Sequence, residues 1–222
     1  MPDKRIAVYL EPSDKKVFAC AQDWPGWCRA GKDEDLALQA LADAAPRYAR
    51  VTKQAKVDFP DGDAATAFDV VQRIPGGAGT AFGVPSASSK ADRGPVNAAE
   101  AERLAALVEA SWAIFDRTRA TSPESLRKGP RGGGRDRDKM AGHVMEADSA
   151  YAHELGVKHR PPAIDDMKAI KAMRDDMLRV LAEPSDGQPL AGRRWLHRYA
   201  ARRIAWHALD HAWEMEDRAE PG

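Results

Sequence analysis

A chain of 222 residues with 34 basic and 34 acidic side chains carries no formal net charge, so no global field draws it to nucleic acid or to an anionic membrane. Hydrophobic residues make up 43% and charged residues 31%, a balance that excludes a disordered chain and allows one large domain or two small ones. No apolar run is long enough to span a bilayer, and the segment after Met1-Pro2-Asp3-Lys4-Arg5 is broken by Glu11 and Pro12, so it lacks the core of a signal peptide.

Ile6 to Leu10 and Val17 to Ala21 are short runs rich in β-formers, separated by Glu11-Pro12-Ser13-Asp14-Lys15-Lys16, and predict a hairpin. Cys20 and Cys28 stand eight apart and in no CxxC arrangement, which argues against a disulfide framework or a thiolate zinc site and for a reducing, cytoplasmic setting. Leu36, Leu38, Leu41 and Ala45 then fall close to helical spacing, with a helix end expected near Pro46 or a few residues beyond.

The run Asp23-Trp24-Pro25-Gly26-Trp27, the following Gly31 with its acidic helix start, and Ala37-Leu38-Gln39-Ala40-Leu41 resemble the opening of HicB-like antitoxin domains. The resemblance covers about the first fifty residues and implies a small sheet-and-helix unit. HicB-like proteins usually carry a DNA-binding segment after this unit, and no helix-turn-helix signature follows here.

Phe68 to Ile74 predicts another strand, stopped by Pro75-Gly76-Gly77-Ala78-Gly79-Thr80. The glycines lack the GK[ST] ending of a phosphate loop, so a turn is expected. Residues 85–95 are polar and rich in Pro and Gly, as a domain boundary would be. The expected division is an α+β unit over residues 1–93 and an all-α four-helix bundle over residues 94–222.

Asn97 with Glu100 three residues on forms a capping-box pattern opening a helix to about Thr118, with Ala101, Leu104, Val108, Trp112 and Phe115 inward. Arg127 to Arg135 is basic and very Gly-rich, a loop whose Arg131 and Arg135 could clamp an anionic ligand at the mouth of a site. A second helix starts at Asp136 or Asp138, carries Met140, His143, Val144, Ala147, Tyr151 and Leu155 on one side, and closes at Gly156. Pro161-Pro162 marks the start of a third, with Ile164, Met167, Ile170, Met173, Met177 and Leu181 inward. The fourth begins between Ala191 and Trp195 and carries His207 and His211 on a face otherwise made of Ala200, Ile204, Ala208 and Met215. Four amphipathic helices in succession argue a bundle.

Residues four apart on a helix stack, so His207 and His211 can aim at one point, and a bundle core could bring His143 to it. Three imidazoles with an open position is the catalytic rather than the structural pattern for a metal. Asp210, Glu146 and Glu214 lie near enough in sequence to orient the imidazoles or to act as a base. His153, His159 and His197 fall outside the shared face.

One histidine in Gly142-His143-Val144-Met145-Glu146-Ala147 and the pair in His207-Ala208-Leu209-Asp210-His211, flanked by Trp206, Trp213 and Glu214, resemble the DinB-like metal-binding bundle family over roughly residues 95–220. The resemblance implies a divalent metal, zinc or nickel first. It also implies, for its characterised members, S-transfer or isomerisation with a low-molecular-weight thiol such as mycothiol or bacillithiol acting on a small-molecule substrate. A metal-bound thiol would be the nucleophile, and Arg202 and Arg203 could position such an acidic cofactor. Asp210, Glu214, Glu216 and Asp217 would repel it. The first ninety or so residues are extra to the family pattern and could cap the site, bind a partner or form a homodimer. The rival expectations are a HicB-like interaction or regulatory module whose bundle is purely structural, and a metal-binding regulator without turnover.

Overall fold

The computed structural model describes residues 5–128 and 134–219. A four-stranded sheet opens the chain: β1 Ile6–Pro12, β2 Val17–Ala21, β3 Cys28–Gly31 and β4 Phe68–Arg73, in the order β3-β2-β1-β4. The first three strands form an antiparallel meander. The β1–β2 turn is closed by Ser13, whose backbone N–H donates to the Lys16 carbonyl at 2.9 Å. β4 runs parallel to β1. A parallel neighbour needs a long crossover, and helices α1 Glu34–Asp43 and α2 Ala45–Ala55 supply it.

Every residue of β2 is buried, and β1 is buried along most of its length. Such runs belong to strands covered on both faces. One face presents Val8, Leu10, Val17, Ala19 and Ala21 to the main core, and the other presents Tyr9, Phe18, Cys20 and Cys28 to Trp206. Trp206 belongs to the last helix, so the sheet itself is a seat for the element that carries the histidine pair.

The Asp23-to-Trp27 turn completes that seat. The Trp27 indole donates to the Leu41 carbonyl at 2.9 Å and stacks on Tyr48 with ring centroids 5.2 Å apart, while the Tyr48 hydroxyl donates to the Pro25 carbonyl at 2.9 Å. Gly26 between them has φ +90°, and a Cβ built there would lie 2.6 Å from Leu209 Cδ1 and 3.1 Å from Ala205 Cβ. The glycine is required twice, by its backbone conformation and by the close approach of the last helix.

Five further helices follow: α3 Ala78–Phe82, α4 Ala98–Thr121, α5 Arg137–Glu154, α6 Met167–Leu181 and α7 His197–Ala219. Helix α4 packs on α7 and α6, and α5 packs on the same two; α2 lies against α4. The buried apolar residues run without a break from the sheet into these helices. No helix among the described residues is long and apolar enough to cross a membrane.

Segment 85–95 is fastened at several points. Buried Glu11 accepts from the backbone N–H of Ser86 at 3.0 Å and of Ala87 at 3.1 Å, and from the Thr80 hydroxyl. Arg202 of α7 donates through both terminal nitrogens to Asp92, one of the bonds measuring 2.6 Å, with both side chains buried. One turn away Arg198 donates to the Gly94 carbonyl at 2.8 Å and the Pro95 carbonyl at 2.9 Å.

Several expectations are corrected. The first helix ends at Asp43, close to Pro46 as expected, but a second helix that was not expected, α2, follows at once with Pro46 in its first turn, where its missing N–H costs nothing. The third helix of the second half begins at Met167 rather than at Pro161-Pro162, capped by Asp166, whose side chain accepts from Ala169 N–H at 2.9 Å. Met167, expected inward, is 58% exposed. Asn97 caps α4 as expected, its side chain accepting from Glu100 N–H at 2.9 Å, but the Glu100 carboxylate is taken by Arg198 at 2.8 Å instead of closing a capping box. The eight-residue spacing of Cys20 and Cys28 was expected to leave both thiols free, yet the β2–β3 register sets them directly opposite each other and the structure joins them as a disulfide. Cysteine usage therefore lends no support to a reducing compartment.

Candidate metal centre

Helix α7 carries His207 and His211 one turn apart, with ring centroids 4.6 Å apart and planes perpendicular. Helix α5 lies alongside and delivers His143, whose ring centroid is 5.1 Å from that of His207 and 5.2 Å from that of His211. One ring nitrogen from each of the three falls within 4.8 Å of the others, close enough to hold a metal ion. The Nε2 atoms of His143 and His207 are 3.3 Å apart. Two imidazole nitrogens on one tetrahedral zinc, each about 2.0–2.1 Å from it, would be about 3.3–3.4 Å apart. His207 and His211 are buried and His143 is half-buried.

The electrostatics favour neutral rings at His143 and His207. Burial pushes the His143 imidazolium below its ordinary range, helped by Arg135 and His211. Burial pushes that of His207 well below it, helped by His211, Arg203 and His143. Neutral imidazoles are what a cation requires. His211 Nδ1 donates to Glu214 Oε2 at 3.2 Å, which leaves the His211 lone pair on Nε2. Glu214 is held below the usual carboxylate range by that bond and by Arg218, which donates to its other oxygen at 2.6 Å. Nδ1 of His207 is buried with no partner. The donor set thus fits a divalent cation, with an outer support built for one imidazole of the three.

The other expected site residues are dispersed. Asp210 points to the sheet and accepts from Arg29 of β3 at 3.1 Å, so its charge joins α7 to β3 rather than orienting an imidazole. Glu146 is exposed and reaches His143 only as a nearby charge. Arg202 is spoken for by Asp92 and lies over the Tyr9 ring, 5.2 Å from its centroid. Arg203 instead lies between Tyr151 and Trp206, its guanidinium carbon 5.5 Å and 4.9 Å from their ring centroids. Arg135 is exposed near His143 and His207, and Arg131 lies outside the described residues.

The remaining histidines have other partners. His197 Nε2 donates to the Leu181 carbonyl at 2.9 Å, His159 Nε2 to Asp176 at 2.8 Å, and His153 Nδ1 accepts from Arg193 at 3.0 Å. The acidic run of α7 is paired with arginines throughout: Asp210 with Arg29, Glu214 with Arg218, and Glu216 and Asp217 with Arg47.

Tyr151, expected on the His143 side of its helix only as a packing residue, is a further neighbour of the triad. Its ring stands 5.7 Å from that of His207, nearly perpendicular to it. The signal was available, since Tyr151 lies eight residues after His143 and so falls on the same helix face two turns on. A feature away from the triad was passed over. Asp148 is fully buried with both oxygens unpartnered and Arg174 Nε 3.7 Å away, and burial raises its carboxyl to about 7.

No protein-family model, no curated protein and no solved structure matches this chain.

Proposed function

We propose that this protein holds one divalent cation on His143, His207 and His211 and is a DinB-like metal protein acting on a small molecule, with α4 to α7 forming a four-helix bundle. The observation that carries the reading is the convergence of three imidazole nitrogens from α5 and α7 within 4.8 Å, two of them at the spacing that a shared tetrahedral metal demands. Three packed rings that face one point have no other common partner among the described residues. The pairwise packing of α4 and α5 on α6 and α7 supports the bundle.

His143, His207 and His211 would hold the cation, which when bound would supply Lewis acidity that lowers the pKa of a thiol or water. The chain's own residues do the rest. Glu214 fixes the tautomer and direction of His211, and the apolar packing of Trp206 and Tyr151 around His207 limits water at the inner edge.

The thiol-dependent S-transferase or isomerase reading is the specific form of this proposal. Of its two candidate arginines, Arg203 remains available whereas Arg202 is committed to Asp92. The acidic residues of α7 that would oppose an anionic cofactor are neutralised in ion pairs, which favours such a ligand. Zinc and nickel are both suited to three imidazoles. Metal analysis of the wild-type protein beside a variant lacking all three histidines tests the reading. Absence of metal would leave the HicB-like interaction module in its place.

A further inference from the structure

Helix α7 presents Arg203, His207 and His211 at successive i+4 positions, and α5 presents His143 and, two turns on, Tyr151. The two rows face each other, so the cluster of histidines is continued at one end by an arginine and a phenol. α7 carries four arginines. Arg198 is paired with Glu100, Arg202 with Asp92 and Arg218 with Glu214. Arg203 has no acidic partner among the described residues, and its Nη1 is buried without a hydrogen bond. A half-buried guanidinium whose inner nitrogen is left this way gives up hydration with little return unless something else binds it.

Its surroundings are built of rings. Tyr151 and Trp206 flank it, and Trp195 continues the wall, 5.0 Å from Tyr151 and 5.3 Å from Tyr199. Burial raises the Tyr151 hydroxyl above its ordinary value and Arg203 opposes that rise, so the guanidinium and the hydroxyl act on the same space. The acidic group of the site, Glu214, belongs to His211 and Arg218. What is left is one forked cation and one hydroxyl donor beside the three imidazoles, set among aromatic side chains. A planar monoanion matches that set, since one guanidinium offers two parallel N–H donors to a carboxylate and neutralises one charge.

We propose that Arg203 and the Tyr151 hydroxyl form a carboxylate subsite beside the three histidines, so that the small molecule handled here is a carboxylic acid. This rests on the metal reading above, because His207 lies against Tyr151 and the histidines would supply the reacting edge.

The test uses protein loaded with cobalt(II), whose visible absorption reports on ligands near the ion, titrated with acetate, acetamide or inorganic phosphate. Acetate should perturb the spectrum saturably and acetamide should not. In Arg203→Met the cobalt spectrum without anion should match the wild type, while acetate binds about ten-fold or more weakly. Tyr151→Phe, which removes only an oxygen, should weaken acetate by about three-fold or more and serves as the deciding variant if Arg203→Met does not fold. Acetate bound equally by the wild type and by the folded variants, with cobalt retained, overturns the subsite and leaves the metal site standing. Phosphate bound more tightly than acetate overturns the carboxylate class. A wild-type protein that takes up no cobalt overturns the metal reading, and the subsite falls with it.

Discussion

Nε2 of His143 on α5 and Nε2 of His207 on α7 are 3.3 Å apart although the two residues are 64 positions apart in the chain. Two neutral imidazoles meeting nitrogen to nitrogen can share one proton, but a third ring, His211, is brought to the same point and cannot join that bond. A cation satisfies all three. The pair is positioned by the packing of α5 on α7 and, beneath α7, by the sheet and the Gly26 turn.

Acid should cost the metal-free protein stability. His143 and His207 have folded-state values below the ordinary 6.5, so protons bind the unfolded chain more readily. Their contribution is complete above about pH 6.5 and is lost as pH falls below it. Thermal unfolding of chelator-treated protein should show Tm falling between pH 7 and pH 5. The variant lacking all three histidines should show a shallower fall, and equal slopes would contradict this account of the site.

Glu214 should matter to the metal more than to the fold. Its side chain is 36% exposed, yet it is the one carboxylate among the described residues that accepts from a triad imidazole. Glu214→Gln should weaken metal affinity by about 10-fold to 100-fold, measured by chelator competition, with little change in the urea midpoint. An unchanged affinity would remove Glu214 from the site.

Arg202 should prove structural. Arg202→Met strands the fully buried Asp92 carboxylate, a loss of about 3–5 kcal/mol. Adding Asp92→Asn should recover part of it in denaturant unfolding, because the buried charge goes with its partner. Any double variant that folds should keep its metal.

Gly26→Ala should destabilise by about 1–3 kcal/mol. The new methyl would meet Leu209 Cδ1 at 2.6 Å from a backbone at φ +90°. Urea unfolding measures this, and a wild-type midpoint would show that α7 can withdraw from the turn without cost.

The parts of this structure that the sequence made legible are those governed by local periodicity. β2 and the Asn97 cap stand where the pattern of apolar and capping residues placed them, and His207 and His211 were readable as a pair because helix geometry alone stacks them. β3 escaped notice because Cys28-Arg29-Ala30-Gly31 has no apolar alternation and exists through its pairing with β2. α2 was missed and the start of α6 misplaced because a proline is ambiguous between stopping and starting a helix. Long-range partners were out of reach. Nothing local says that Arg202 will find Asp92 110 residues away or that Asp210 will turn to Arg29, while Arg203 is left without an acidic partner among the described residues.

The most direct measurement is elemental analysis of protein purified without an affinity tag, wild type beside the His143→Ala, His207→Ala, His211→Ala variant, with circular dichroism to establish that both are folded. About one divalent metal per chain in the wild type, absent from the folded variant, is the expected result. A folded wild-type protein that remains free of metal after incubation with zinc and with nickel would contradict the proposal that these three histidines form a metal centre.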